Sequence, residues 1–257
     1  MCGRYTIAHS TEEILERFQI LAERIAVEPS YNVAPSHSVP VVVPDRSGSS
    51  SDAPGRLLQL CKWGLVPFWV KDLKGAKPII NAQAESLAER TTFKDAFVKR
   101  RCVIPADGFY EWKKDKRGKV PVRMRLQGEK LFGFAGIYQD WRSPDGSKVR
   151  TFAIITVPAN DAIKHIHHRM PAILTREAEN VWLDPEVEDA DALSQCLQPY
   201  PYNDLEAYVV SSKINKPDTN SPELIVAVPN ATVDEPAGLE NIDSVEQEDA
   251  PKQLKLF

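Results

Sequence analysis

A cysteine stands at position 2, directly after the first methionine, in the opening MCGRY. Once Met1 is removed, Cys2 carries a thiol and a free α-amine on adjacent carbons. That pair condenses with an aldehyde through an imine, and the thiol then closes a five-membered thiazolidine ring. An internal cysteine lacks this chemistry because its nitrogen is locked in an amide. The α-amine titrates near ~7.7–8, so about a tenth of it is neutral at pH 7. The thiol, near ~8.5, is strongly nucleophilic once ionised. Taken alone, Cys2 reads first as a small packed residue, the usual place of a free cysteine.

Other residues could assist. ADGFYEW (106–112) sets Glu111 between two aromatics. Held against Tyr110 and Trp112 the carboxylate would have a raised pKa and act as a general acid/base; as part of a strand edge it would simply be the polar side. KHIHHRMP (164–171) contains His165, His167 and His168, three of the five histidines. They lack the i,i+4 spacing and third ligand of a metal site, so a proton shuttle fits them better, and no metal or cofactor is expected. Asn81, in KPIINAQAES, follows a short strand, and its amide suits orienting a sugar or a carbonyl.

These residues need a frame. STEEILERFQILAERIA reads as a helix: Ser10 and Glu13 have capping-box spacing, and Ile14, Phe18, Leu21 and Ile25 share one face. Strand-like runs follow at 39–43, 56–63, 101–105, 120–126, 131–138 and 150–157, and DKRG and SPDG between them signal antiparallel hairpins. DRSGSSSDAPG (45–55) reads as a flexible surface loop. Short helices are expected at 158–166, 175–183 and 188–197, then a strand at 207–211. The class is α+β: one compact domain with a mainly antiparallel sheet and flanking helices.

A chain of 257 residues, 42% hydrophobic and 26% charged, is long enough to bury a sizeable core. No signal peptide is visible, and runs such as FAIITV are too short to span a bilayer, so no membrane partner is expected. The four cysteines (2, 61, 102, 196) are widely spaced, which fits a reducing cytoplasm. The net charge is −4, but residues 228–257 hold seven acidic and two basic residues, leaving the body at +1. Basic clusters at 98–102, 112–119 and 122–126 read as solvated faces and a hairpin turn, or together as a basic groove.

Seven motifs occur in order: MCGRYT, YNVAPS (31–36), KWGLVPFW (62–69), INAQAES (80–86), ADGFYEW, IHHRMP (166–171) and VSSKINKP (210–217). Together they resemble the SRAP family, the SOS-response-associated peptidases, over roughly residues 2–227. The resemblance implies a barrel-like antiparallel sheet with a basic groove for single-stranded DNA. It implies self-removal of Met1 and capture, by Cys2, of the ring-opened aldehyde of an abasic site as a thiazolidine. Asn81 would then hold the sugar or the N-terminus, Glu111 would be the acid/base, and His167 the proton donor that aids sugar opening and crosslink reversal. Arg4, Asn32, Pro35 and Trp69 would line the DNA channel. The family's N-A-R is here Asn81-Ala82-Gln83, so a phosphate contact would be lost or pass to Arg90 and Lys94. His168 stands where the family often has another residue; the register to Pro171 favours His167.

The domain is expected over 1–227, followed by an acidic disordered tether, 228–252. QLKLF (253–257) resembles the pentapeptide by which bacterial proteins dock on the replicative sliding clamp. Leu254, Leu256 and Phe257 would fill an apolar pocket, with Gln253 hydrogen-bonding beside it. The leading expectation is a monomeric, nucleoid-associated cytoplasmic protein that shields abasic sites. A thiol-dependent peptidase or amidase using Cys2 and a non-catalytic clamp-tethered DNA-binding module are the alternatives.

Overall fold

The computed structural model describes residues 2–20, 25–46, 55–73, 77–116, 118–128 and 130–233. In chain order the elements are β1 (Arg4–Ile7), α1 (Thr11–Phe18), β2 (Ser30–Val33), β3 (Ser38–Pro44), β4 (Arg56–Trp63), β5 (Asn81–Gln83) and α2 (Lys94–Lys99). They continue with β6 (Arg101–Ala106), β7 (Gly108–Asp115), β8 (Gly118–Leu126), β9 (Phe132–Arg142), β10 (Lys148–Pro158), β11 (Arg169–Pro171) and β12 (Ile173–Leu174). Helices α3 (Arg176–Leu183) and α4 (Ala190–Gln195), then β13 (Leu205–Val209) and two short 3-10 turns, complete the described chain. The α+β class and the mainly antiparallel pairing are as the sequence led us to expect.

Strands β10, β4, β3, β6 and β9 close on themselves as a five-stranded barrel, β9 pairing back onto β10. Its one parallel contact is β4 with β10, over Thr151↔Lys62 and Phe152↔Trp63. At the end of β4 the chain turns away through Gly64, whose φ of 125° favours glycine. Leu65 and Ile79 then exchange two 2.9 Å backbone hydrogen bonds that close the neck of this excursion. The chain returns as β5 in the lane β4 left, parallel to β10 with Asn81 opposite Ile154. A turn of that kind explains how an asparagine far along the chain is set into the barrel wall.

A second, wholly antiparallel sheet runs β13-β8-β7-β1-β2. Side chains alternate across its strands. The inner face packs on the barrel through an aromatic layer: Tyr5 lies edge-on to Trp63 at 5.3 Å and to Phe134 at 5.9 Å, and Phe109 meets Phe134 at 6.0 Å. The outer face has its own small core of Tyr110, Val210, Ile214 and Leu224, with Tyr31, Trp112 and Tyr208 packed against it. Residues 211–227 cover that face.

Three expectations are corrected. Helix α1 starts at its capping box as expected but ends at Phe18, because Gln19 takes a left-handed φ of 56° and Ile20 N–H bonds back to the Leu15 carbonyl. Ile25 lies outside the helix, and Leu21 lies outside the described residues. Residues 158–166 form no helix: β10 runs on to Pro158, and the rest is a set of turns in which Asn160 accepts from both Ile163 and Lys164. Not every residue of the basic clusters is solvated. Arg101 is buried and donates to the Trp182 carbonyl at 2.7 Å, and Arg123 is buried under the outer face. The 45–55 loop is described only at its ends, where Asp45 N–H meets the Gly55 carbonyl at 2.7 Å.

Candidate active site

The site lies between the inner face of the five-stranded sheet and the barrel. Cys2, just before β1, is fully buried, and its thiol points at the Arg4 carbonyl at 3.6 Å. Burial, reinforced by the Glu111 charge, holds the thiol well above its ordinary pKa, so it stays protonated until a base takes its proton. Asn81 reaches across from the barrel and donates from Nδ2 to the Cys2 carbonyl at 2.8 Å. Its own strand is pinned from behind, because the Ile80 carbonyl accepts from the Trp63 indole at 2.9 Å and from Ile154 N–H at 3.1 Å. Asn81 Oδ1 is buried with no hydrogen-bond partner among the described residues.

Glu111 comes from β7. Phe109 and Glu111 share the inner face, and Tyr110 and Trp112 the outer one, so the neighbouring aromatics do not hold the carboxylate. It is the carboxylate, not the aromatics, that faces the barrel, at 4% exposure. Burial pushes its pKa up, as expected, but through the barrel wall rather than through Tyr110 and Trp112. Its Oε1 is 4.0 Å from His167 Nδ1.

His167 ends the turns after β10. Its Nδ1 lies 3.1 Å from both the N–H and the carbonyl of Arg169, so Nδ1 accepts from the first in one neutral tautomer and donates to the second in the other. Burial lowers its pKa, favouring the neutral ring. His168 is exposed and stacks on the His167 ring at 4.4 Å. The geometry therefore selects His167 as the histidine beside Glu111. Cys2, Asn81, Glu111 and His167, drawn from four separate stretches of chain, are thus brought together.

The expected DNA-channel residues are distributed differently. Arg4 projects to the outer side of β1, where its Nε donates to Asn32 Oδ1 at 3.1 Å. Asn32 is 1% exposed, and its amide donates to the Lys216 and Thr219 carbonyls, both at 2.9 Å. It therefore sits behind Arg4 as a support and presents no surface of its own. Pro35 is half-buried in the turn after β2, beside Ser36 at φ 77°. Trp69 is 48% exposed on the β4–β5 excursion, edge-on to Phe68 at 5.0 Å. Arg90 covers the Phe93 ring at 5.5 Å, and Lys94 is exposed at the start of α2. Gln253, Leu254, Leu256, Phe257 and most of the tether lie outside the described residues.

Two pairs went unnoticed in the sequence. Arg169 grips Glu85 with both ends of its guanidinium, at 2.7 and 3.0 Å, and holds the Glu85 carboxyl below its usual range. Arg123 pairs with Asp107 at 2.8 Å. Glu85, Asp107 and Arg169 fall in motif segments and Arg123 in the 122–126 basic cluster, but only the folded chain brings each pair together.

The model of the SOS response associated peptidase family matches residues 1–217. The chain is 46% identical over 229 residues to the abasic site processing protein YoqW of Bacillus subtilis, covering 88% of this chain and 99% of that one. It is 32% identical over 226 residues to the abasic site processing protein HMCES of Gallus gallus, covering 78% of this chain and 66% of that protein. A crystal structure of a protein from Bacteroides thetaiotaomicron superposes with a TM-score of 0.76 at 28% identity, over 88% of this chain and all of that one. With the family model matched over most of its length and a relative covered almost end to end, this chain belongs to the SOS response associated peptidase family.

Proposed function

We propose that this protein captures abasic sites in single-stranded DNA covalently through Cys2. The observation that carries the reading is the Asn81 amide held 2.8 Å from the Cys2 carbonyl, in a cleft that also brings Glu111 to 4.0 Å from His167. Asn81 fixes the backbone of Cys2 through its carbonyl, and Glu111 and His167 supply proton transfer on the same side.

The steps balance as follows. Water, deprotonated by Glu111, adds to the Met1–Cys2 amide; Glu111 returns the proton to the nitrogen as the C–N bond breaks, methionine leaves, and the amine of Cys2 is freed. A ring N–H of His167 donates to the ring oxygen of the abasic sugar while the C1 hydroxyl passes its proton to water, and the ring opens to the aldehyde. The amine adds to the aldehyde carbon and water leaves, forming an imine. Glu111 takes the thiol proton as sulfur attacks the imine carbon, the nitrogen gains a proton, and the thiazolidine closes. The buried, protonated thiol suits this order, because sulfur becomes nucleophilic only when Glu111 accepts its proton. Reversal runs through the same groups. Arg4, braced by Asn32, would hold a phosphate, and Pro35 and Trp69 would meet bases splayed at the lesion. Gln83 in place of the family arginine would leave more of that work to Arg4, Arg90 and Lys94.

In the same reading, Gln253, Leu254, Leu256 and Phe257 dock on the replicative sliding clamp, and residues 228–252 tether the domain near single-stranded template. Intact-mass measurement with an abasic oligonucleotide tests the chemistry. The wild type should lack Met1 and gain the mass of one oligonucleotide less one water. An unmodified mass, or an adduct persisting in Cys2→Ala, overturns the reading. Deleting residues 253–257 should abolish co-elution with a purified clamp and leave the adduct intact; retained co-elution removes the clamp assignment.

A further inference from the structure

Arg123 is 2% exposed, in the middle of β8, directly opposite Tyr110 on β7 and Tyr208 on β13. Its Nη2 donates to Thr6 Oγ1 at 3.0 Å, to the Asp107 carbonyl at 3.2 Å and to Asp107 Oδ2 at 2.8 Å. Its Nη1 donates to the Tyr208 hydroxyl at 2.7 Å, which passes a bond on to the Ile225 carbonyl at 2.9 Å. Asp107 in turn accepts from Ala8 N–H at 3.0 Å through Oδ1, and its own N–H donates to the Thr6 carbonyl at 3.0 Å. One guanidinium thus ties β1, the start of β7, β13 and the segment covering the outer face. The space it occupies depends on Gly108: a Cβ there would lie 2.7 Å from Arg123 Nε and Nη2.

Such a pair is a poor device for stability alone. Burying two charges costs several kcal/mol, and a well-packed apolar pair of similar volume is often as stable or more so. Arg123 Nε also lacks a hydrogen-bond partner among the described residues. What the pair supplies is registry. β1 leads directly back to Cys2, and β7 carries Glu111, yet those two strands share only the register Arg4↔Tyr110, Tyr5↔Phe109 and Thr6↔Gly108. Arg123 and Asp107 lock the end of that short ladder from the outer face.

We infer that Arg123 and Asp107 are positioning residues: they fix β1 against β7 and thereby hold Cys2 buried opposite Glu111, without touching the reacting atoms. The inference deepens the proposed capture chemistry and rests on it for its kinetic arm, but its first readout does not involve DNA.

The test is the alkylation of each cysteine by iodoacetamide, followed by peptide mapping, in the full chain. In R123M/D107N, which removes both buried charges and keeps an acceptor for Ala8 N–H, Cys2 should react about tenfold faster or more through local opening, while Cys61 and Cys102 keep their wild-type rates. R123K, which keeps the charge but loses the fork, should show the same selectivity to a smaller degree and serves if the double variant does not fold. A Cys2 rate within twofold of wild type in the folded variants overturns the inference, and so does a rise shared equally by the three cysteines. With an abasic oligonucleotide, the adduct rate constant should fall about tenfold while the DNA Kd stays within twofold. A wild type that forms no adduct sinks the capture reading and leaves the alkylation result to decide the positioning role.

Discussion

Alternate residues of β7 live in two unlike environments. On the outer face the polar atoms, Arg123 Nε excepted, are matched: the Tyr110 hydroxyl donates to the Tyr31 carbonyl at 2.9 Å, Trp112 Nε1 to Asn215 Oδ1 at 2.8 Å, and Arg123 binds Asp107. On the inner face a carboxyl and a thiol are both pushed up by burial, and Asn81 Oδ1 has no partner among the described residues. The outer face builds registry and stability. The inner face gathers groups whose preferred protonation states conflict with their surroundings, as sites of chemistry do.

Substitutions on the inner face should therefore cost chemistry more than stability. Cys2→Ala is the largest expected effect: complete loss of the adduct, seen on a denaturing gel, with a Tm change of only about 2–4 °C. Glu111→Gln follows, with an adduct rate constant lower by about 10²–10⁴-fold. It should also separate stability from function. A carboxyl whose folded pKa is raised binds its proton more tightly when folded. Its contribution to stability is complete below the ordinary glutamate pKa of ~4.3 and is lost as pH climbs through the raised value. Above that window Glu111→Gln should melt about 2–4 °C higher than wild type, and below it the two should converge. A variant that melts lower at every pH would mean that the ionised carboxylate is a structural partner.

Asn32→Ala probes the join between the two roles. It removes the amide that donates to the partly buried Lys216 and Thr219 carbonyls and releases Arg4. A loss of about 2 kcal/mol is expected, or about 4–8 °C in Tm. The adduct rate at saturating DNA should hold while DNA Kd rises, measured by fluorescence anisotropy. An unchanged Kd would remove Arg4 from the DNA contacts.

How far the sequence could be read follows the same division. The start of α1 was legible because a capping box is local: Ser10 and Glu13 bond each other across three residues. Its end was not, since Gln19 adopts φ 56° without any glycine to announce it. Alternation in GFYEW correctly marked a strand, but which side faced the barrel is a tertiary matter. The aromatic pair that looked like a setting for Glu111 belongs to the other face. Cys2, Asn81, Glu111 and His167 were singled out through the motifs and lie together in the fold, whereas Arg123–Asp107 and Arg169–Glu85 were missed. Each of these pairs spans separate strands or turns, and nothing in local spacing signals a contact across 16 or 84 residues.

Tyr110→Phe gives the smallest effect and the sharpest control. The ring keeps its place in the outer core, and what is lost is the hydroxyl's bond to the Tyr31 carbonyl at 2.9 Å with its longer contact to the Leu224 carbonyl at 3.5 Å. One buried hydrogen bond is worth about 1 kcal/mol, so Tm should fall by about 2–4 °C. Tyr110 is the immediate chain neighbour of Glu111, yet it faces away from Cys2, so the adduct rate constant at 25 °C should stay within twofold of wild type. If the rate falls in step with that of Glu111→Gln, the two faces of β7 are one functional unit. If stability falls while the rate holds, the division between a face that orders the sheet and a face that carries the chemistry stands at the resolution of a single residue.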